Sequence, residues 1–190
     1  IADIVLAKRA ARSTNALKAL ASVNPRLAVL LSNDVASNVR CRADLARCLG
    51  ASESVAQKVF TQLAAGGLAF GSPERLILGT IVKLPFERII AVEAKLSDWQ
   101  RVLVQGYRNL QFADESWVVL DHACVSPALA QLERFKMAGV GLASLDRAQQ
   151  GLCIHLPAAQ LGPASVTKRW QAQAVLAARA VNRQPLSKRF

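Results

Sequence analysis

The chain lacks the cysteine and histidine spacings that are typical of disulfide scaffolds and metal sites, and it lacks a long apolar run. Its cysteines stand far apart, without a Cys-x-x-Cys pair, at Cys41, Cys48, Cys124 and Cys153. This spacing argues against a zinc ribbon and a disulfide framework. The two histidines, His122 and His155, lack the spacing of paired metal ligands. No apolar run approaches the roughly 20 residues of a membrane-spanning helix. We therefore expect a cytoplasmic protein with reduced thiols and no membrane partner.

Acidic residues are scarce at both ends of the chain. Lys and Arg total 24 against 13 Asp and Glu, so the net charge is +11 over 190 residues. Residues 1–70 hold nine basic and four acidic side chains, and residues 71–160 hold nine of each. Residues 161–190 hold six basic side chains and no acidic one. Two basic ends predict a polyanionic partner, and double-stranded DNA is the favoured one.

A helix–turn–helix pattern occupies residues 42–63. A short helix ends at Gly50, and Ser52, a residue type that caps helices, begins a second helix that Gly66 and Gly67 stop. The segment RADLARCLGASESVAQKVFTQLAAGGLAF resembles the second and third helices and the first wing strand of a bacterial winged helix-turn-helix regulator. The resemblance covers about residues 15–72. Helix–turn–helix geometry also packs many helical cores that never touch DNA, and that alternative stays open.

The resemblance implies a set of DNA-binding residues. In winged helix-turn-helix proteins the third helix lies in the major groove, and its outward side chains reach bases and phosphates. Around that helix the matching positions are Arg40, Arg42, Ser54, Gln57, Lys58 and Thr61. A basic helix predicted from Ala164 to about Val181 adds Lys168 and Arg169.

The centre of the chain predicts alternating strands and helices. The β-branched run Arg88–Lys95 is typical of a strand, and alternation places Glu93 and Lys95 on one face. We expect Leu76–Leu84 to form its antiparallel neighbour across a turn at residues 85–87. A helix is predicted for 98–110, a strand for 116–120, a helix for 127–137, and strands for 140–145 and 152–156.

This order resembles the PD-(D/E)xK, or restriction-endonuclease-like, nuclease superfamily. The segment IIAVEAKLSDWQRVLVQGYRNLQFADESWVVL carries the likeness, which spans about residues 75–146. The resemblance implies that Glu93 binds Mg²⁺ or Mn²⁺, that Lys95 orients water or offsets developing charge, and that Gln105 positions a water or phosphate. It also makes a homodimer plausible.

The chain departs from the superfamily in its second acidic residue. An Asp is expected at the start of the preceding strand, yet residues 54–97 contain none. Either Glu74 is the second metal ligand, or the fold brings Asp34 or Asp44 to Glu93, or the site is inactive.

The sequence favours a DNA-binding protein with a degenerate nuclease-like site. We expect it in the cytoplasm, and associated with the nucleoid if the protein is bacterial. An active Mg²⁺-dependent deoxyribonuclease and a protein-assembly module without nucleic-acid binding are the alternatives.

The predicted architecture is α/β and has three parts. Residues 1–72 form a helical, winged helix-turn-helix-like domain, and residues 73–160 form a restriction-endonuclease-like mixed sheet flanked by helices. Residues 161–190 form a basic C-terminal helix and tail.

Overall fold

The computed structural model describes residues 2–146, 148 and 151–182 and has a mixed α/β fold. Its strands are β1 (Ile4–Arg9), β2 (Ala69–Ser72), β3 (Arg75–Leu78), β4 (Phe86–Lys95), β5 (Glu115–Asp121), β6 (Gly141–Asp146) and β7 (Gly151–Leu156). Its helices are α1 (Thr14–Ser22), α2 (Asn33–Ala36), α3 (Arg42–Leu49), α4 (Glu53–Ala65), α5 (Trp99–Asn109), α6 (Ser126–Leu129), α7 (Leu132–Ala138) and α8 (Val166–Asn182). The predicted tail lies outside the described residues.

Five strands form one mixed sheet in the order β1-β4-β5-β6-β7. Strands β4, β5 and β6 are parallel neighbours, and β1 and β7 run antiparallel at the two edges. Because β4, β5 and β6 all end on the same side, we call that side the carboxyl edge. Strands β1 and β7 begin there.

The antiparallel partner of β4 is a correction to the sequence analysis. The predicted strand Leu76–Leu84 does not pair with β4. Its first residues form β3, which pairs with β2 in a separate two-stranded sheet. The partner of β4 is β1, with Ile4 opposite Val92 and Leu6 opposite Ile90. The pairing joins segments about 85 residues apart in sequence, which hairpin rules cannot anticipate because they consider only neighbouring strands.

Helices α5, α6 and α7 supply the apolar core beneath one face of the sheet. Phe135 on α7 packs in a cluster with Val102 of α5 and with the strand residues Val118 and Leu142. Gly106 brings α5 close to the sheet, because a Cβ there would lie 3.0 Å from the Val140 side chain. We call this the helix-covered face.

Helices α3 and α4 pack against each other, and α4 contacts the β2–β3 hairpin. Helix α3 ends at Gly50, whose φ of +59° is the left-handed conformation that glycine adopts readily. The Ser52 side chain then accepts a hydrogen bond from the Val55 N–H and caps α4. Both features match the sequence analysis. The hairpin is tied to the start of α3, since Leu76 donates its N–H to the Arg40 carbonyl.

The chain divides into two compact units. The sheet unit combines β1 with the segment Phe86–Arg169, and the helical unit contains Ala10–Pro85 and the described residues from Trp170 onward. This division differs from the predicted boundaries at 72/73 and 160/161, because β1 belongs to the sheet. In the described part of the chain, no helix has the length and apolarity needed to cross a membrane.

Candidate functional site

Strand β4 carries a buried carboxylate near its end. Ile89 and Ala91 are fully buried on the helix-covered face, and Glu93 follows on the same face with 2% exposure. Lys95, two residues further, emerges at the carboxyl edge and is exposed. The alternation matches the sequence analysis. An ionised side chain this deeply buried is costly unless it is paired or holds a cation.

Asp3 supplies a second carboxylate beside Glu93 and Lys95. The register that sets Ile4 opposite Val92 brings Asp3, the next residue outward, alongside Glu93. One Asp3 carboxylate oxygen accepts a hydrogen bond from the Ala94 N–H at 3.0 Å and lies 3.2 Å from the Lys95 Nζ. The Ala94 N–H first and the Lys95 ammonium second hold the pKa of Asp3 below its ordinary value. Asp3 is therefore ionised at neutral pH.

Helix α5 holds Glu93 in place. Asn109 is buried, and its side-chain amide donates a hydrogen bond of 2.8 Å to Glu93 Oε1. Among the described residues, Glu93 Oε2 is buried without a hydrogen-bond partner, and so is Gln105 Oε1. Gln105 lies one helical turn before Asn109, on the same side of α5. Since α5 returns from the end of β4, Gln105 is the nearer of the two to the carboxyl edge.

The donor set suits a hard divalent cation. Mg²⁺ and Mn²⁺ prefer carboxylate and carbonyl oxygens, and Mg²⁺ keeps several waters while binding one or two carboxylates. Asp3 and Glu93 provide two carboxyl groups, and Oε2 of Glu93 has no hydrogen-bond partner among the described residues. No group of three His, Cys, Asp or Glu suited to a metal occurs within the described ranges. Any cation at this site would therefore need water to complete its coordination.

A shallow cleft flanks Lys95 at the carboxyl edge. Its volume is about 220 Å³, and it is lined by Ala94, Lys95, Leu96, Val119, Leu120, Asp121 and Leu145. The lining residues come from the ends of β4, β5 and β6 and from the residue just after β4. Because Ala94, Val119 and Leu145 alternate onto the face opposite Glu93, the cleft lies mainly on that other face.

The acidic residues that the sequence analysis considered as partners of Glu93 lie in the helical unit. Glu74 is in the turn between β2 and β3, where the Ser72 hydroxyl donates a hydrogen bond that lowers the Glu74 pKa. Asp44 accepts hydrogen bonds from the Arg40 and Cys41 N–H groups at the start of α3. Asp34 is in the first turn of α2. The metal role of Glu74 stays a prediction.

The predicted DNA-binding residues of α4 differ in exposure. Ser54, Lys58 and Thr61 are exposed, whereas Gln57 is half-buried with an unpartnered, buried Oε1 in the described structure. Thr61 donates its hydroxyl hydrogen to the Gln57 carbonyl. Ser54 and Lys58 are thus the α4 residues of this set best placed for an external partner.

The arginines of the predicted set also differ. Arg40 is exposed at the start of α3, and Arg42 forms an ion pair of 2.9 Å with Glu53. The pair offsets part of the Arg42 charge, so Arg42 is a weaker candidate than Lys58.

Arg169 is a poor candidate for the nucleic-acid contact that the sequence analysis predicts. Its guanidinium is 7% exposed, forms an ion pair of 2.9 Å with Asp114 and donates to the Phe112 carbonyl. These contacts leave it no surface for a phosphate. Its neighbour Lys168 is exposed and stays a candidate.

Sequence reasoning missed Asp3 and Asn109. Asp3 precedes the short apolar run Ile4–Ala7, and that run was the available signal for an additional strand. Asn109 follows Gln105 by four residues, the spacing of neighbours on one helix face.

The chain matches no family model, no curated protein and no solved structure. Its function must therefore be inferred from these residues and their geometry.

Two buried glutamates offer a matched test of the site. We expect Glu93→Gln to raise the free energy of unfolding by about 1 kcal/mol in EDTA, because it removes a buried charge whose Oε2 has no partner. Functional sites often carry such a cost. Urea unfolding of the purified protein measures it.

Glu115→Gln is the control. Glu115 is equally buried, but its carboxylate pairs with Arg88 and accepts from the Trp117 indole. Its replacement should lower the free energy of unfolding by about 1 kcal/mol, since Arg88 is half exposed and its charge is screened. A loss of stability in Glu93→Gln as large as in the control would mean that Glu93 is a structural ion, not a ligand.

Proposed function

We propose that the protein is a divalent-metal-dependent deoxyribonuclease. The observation that carries the proposal is the position of Asp3, whose carboxylate pairs with Lys95 and whose backbone continues the register that sets Ile4 opposite Val92, next to Glu93. The sequence analysis favoured a degenerate site because the second acid was missing between residues 54 and 97. Asp3, just before the antiparallel neighbour of β4, is our candidate for that acid, although the resemblance expects it at the start of the strand that precedes β4 in sequence. The active alternative is therefore the better supported one.

The side chains of the site have separate roles. Asp3 and Glu93 provide the anionic oxygens that a divalent cation needs, and Asn109 fixes the Glu93 carboxylate through its hydrogen bond to Oε1. When bound, the cation provides an ionised water and offsets charge on the phosphate. Lys95 places a positive charge at the carboxyl edge, where it attracts the phosphate and stabilises negative charge that develops on it. Gln105 has a buried acceptor oxygen available to orient a water.

The helical unit supports DNA as the substrate. Helix α3, the turn at Gly50, α4 and the β2–β3 hairpin follow one another in the order of a winged helix-turn-helix module. Residues 10–85 contain nine Lys or Arg and four Asp or Glu, a net charge of +5. Lys58 is exposed on α4, and no ion pair involves it in the described residues. We propose that this unit binds duplex DNA through α4 and that the sheet unit cleaves it.

Cleavage of supercoiled plasmid in Mg²⁺ or Mn²⁺ tests the proposed chemistry. We expect Asp3→Asn, Glu93→Gln and Lys95→Met each to lower the initial rate by at least about a hundredfold, because each removes a charge from the site. Circular dichroism melting checks that each variant is folded.

The controls are Glu133→Gln and Lys136→Ala, which alter an exposed pair on α7. Both should cleave at the wild-type rate. Cleavage that survives in all three site variants would show that another site or a contaminant is responsible. A wild-type protein that binds DNA but never cleaves it would instead support the degenerate nuclease-like binder. A protein that does not bind DNA at low ionic strength would support the assembly module.

A second experiment tests α4 as the DNA-binding element. Lys58→Ala should weaken binding to duplex DNA about three- to tenfold and reduce the slope of log affinity against log salt by about 1, because one phosphate contact is lost. Arg42→Ala should have a smaller effect, since Glu53 shares its charge. Fluorescence anisotropy with a labelled duplex measures both.

Lys18→Ala, on the exposed side of α1, is the matched control and should leave affinity unchanged. Equal losses in Lys18→Ala and Lys58→Ala would indicate attraction to total charge rather than a specific contact by α4.

A further inference from the structure

A second polar cluster lies at the carboxyl edge, outside the Asp3–Glu93–Lys95 site. His122 Nδ1 and His155 Nε2 both lie 2.8 Å from the Ser144 hydroxyl oxygen. The two imidazole rings are stacked with centroids 6.3 Å apart. Ser144 is fully buried, His155 is half-buried and His122 is exposed. The fold has thus joined the two histidines of the chain, which are 33 residues apart in sequence, through one hydroxyl group.

This cluster lies on the same face of the sheet as Glu93 and Lys95. The parallel register sets Lys95 opposite Leu120 and Leu120 opposite Ser144. Paired residues of neighbouring parallel strands share a face, so Lys95 and Ser144 lie in one row. With strands about 4.8 Å apart, the row spans about 10 Å from β4 to β6. A row of this length is on the scale that separates neighbouring phosphates of one nucleic-acid strand.

His122 is held so that one ring nitrogen faces outward. It is the first residue after β5, and the turn there is fixed by the Asp121 carboxylate, which accepts the Ala123 N–H at 3.0 Å. Nδ1 is engaged by Ser144, while Nε2 has no hydrogen-bond partner among the residues described. Exposure of the ring leaves Nε2 available to an external acceptor.

One arrangement of hydrogens in this cluster places a single additional proton on the exposed ring. The Ser144 hydroxyl has one hydrogen and can donate it to only one imidazole. If His122 is the imidazolium, its Nδ1–H donates to Ser144, and Ser144 donates to an unprotonated Nε2 of His155. Burial first and the charge of His122 second lower the pKa of His155, so His155 stays neutral in this arrangement. The positive charge then resides on the exposed ring.

We propose that His122 binds a backbone phosphate of the nucleic acid next to the one at Asp3, Glu93 and Lys95, and that Ser144 and His155 hold it in the orientation and protonation state for this contact. The inference rests on the proposed function, because it concerns the same substrate at the same edge. His122 touches the substrate, whereas Ser144 and His155 are positioning residues.

Both ends of this row carry charged groups, and on the β4 side the Lys95 ammonium is paired with the Asp3 carboxylate. Lys95 extends from β4, and Asp146 ends β6 two residues after Ser144. Cys153, opposite Ser144 on β7, is a half-buried thiol. Because Asp146 would repel a phosphate, a phosphate bound at Nε2 of His122 would lie on the side toward Lys95. The nucleic-acid backbone would then run from the end of β4 to the end of β5.

The test is the pH dependence of DNA binding, measured by fluorescence anisotropy with a labelled duplex in Ca²⁺ at fixed salt, at pH 5.5 and 8.0. A histidine side chain ordinarily gains its proton in this range, and both histidines of the chain belong to this cluster. Wild-type affinity should rise about three- to tenfold at the lower pH, the scale of one added charge contact.

Variants separate the roles within the cluster. His122→Ala should bind with the same weak affinity at both pH values, and His122→Lys should bind tightly at both, because its charge does not titrate in this range. Ser144→Ala and His155→Phe should each lose most of the pH dependence while melting as cooperatively as the wild type. Wild-type pH dependence retained in His122→Ala would overturn the proposal, as would a His122→Lys variant as weak as His122→Ala.

Imidazole ¹⁵N NMR provides a second readout and identifies the phosphate source. Adding the duplex should shift the His122 Nε2 resonance and leave the neutral signature of His155 unchanged. Inorganic phosphate at the same phosphate concentration should produce no shift, and an equal shift would overturn the assignment to a nucleic-acid backbone. The two proposals can be refuted independently. Binding that depends on pH without any cleavage would refute only the nuclease proposal. Normal cleavage together with unchanged DNA binding by His122→Ala would refute only the role of His122.

Discussion

The antiparallel pairing of β1 with β4 is the constraint on which the site depends. It sets Ile4 opposite Val92, and from that register alone Asp3 reaches the Ala94 N–H and the Lys95 ammonium. A shift by one residue would turn Asp3 to the other face of the sheet, because side chains alternate along a strand. Backbone pairing thus brings Asp3 to the strand that carries Glu93 and Lys95, although residues 10–85 separate the two segments in sequence.

Burial gives the site its chemical character. Glu93 is almost completely removed from water, and a single amide, from Asn109, compensates one of its two oxygens. By contrast, Glu115 on the neighbouring strand is buried to a similar degree but pairs with Arg88. A structure optimised for stability alone would pair both carboxylates. An unpartnered oxygen beside a second carboxylate is what a cation-binding site requires.

Local patterns in the sequence predicted much of this fold. The helix pair around Gly50, the strand ending at Lys95 and the following helix all follow from capping residues and apolar periodicity over short stretches. The role of β1 could not be predicted in this way, because its pairing with β4 is long-range and β3 was the nearer candidate. The burial of Arg169 could not be predicted for a related reason: a basic residue on a helix is expected to be solvent-exposed until its partner, here Asp114, is known.

The central claim is that Asp3 and Glu93 together bind one divalent cation, and calorimetric titration with Mn²⁺ tests it most directly. The wild-type protein should bind one Mn²⁺, and Asp3→Asn should bind it at least about tenfold more weakly, since one of two anionic ligands is lost. Glu133→Gln should bind Mn²⁺ as the wild type does. Equal Mn²⁺ affinity in Asp3→Asn and the wild type would contradict the account, because β1 would then contribute a strand to the sheet and nothing to the site.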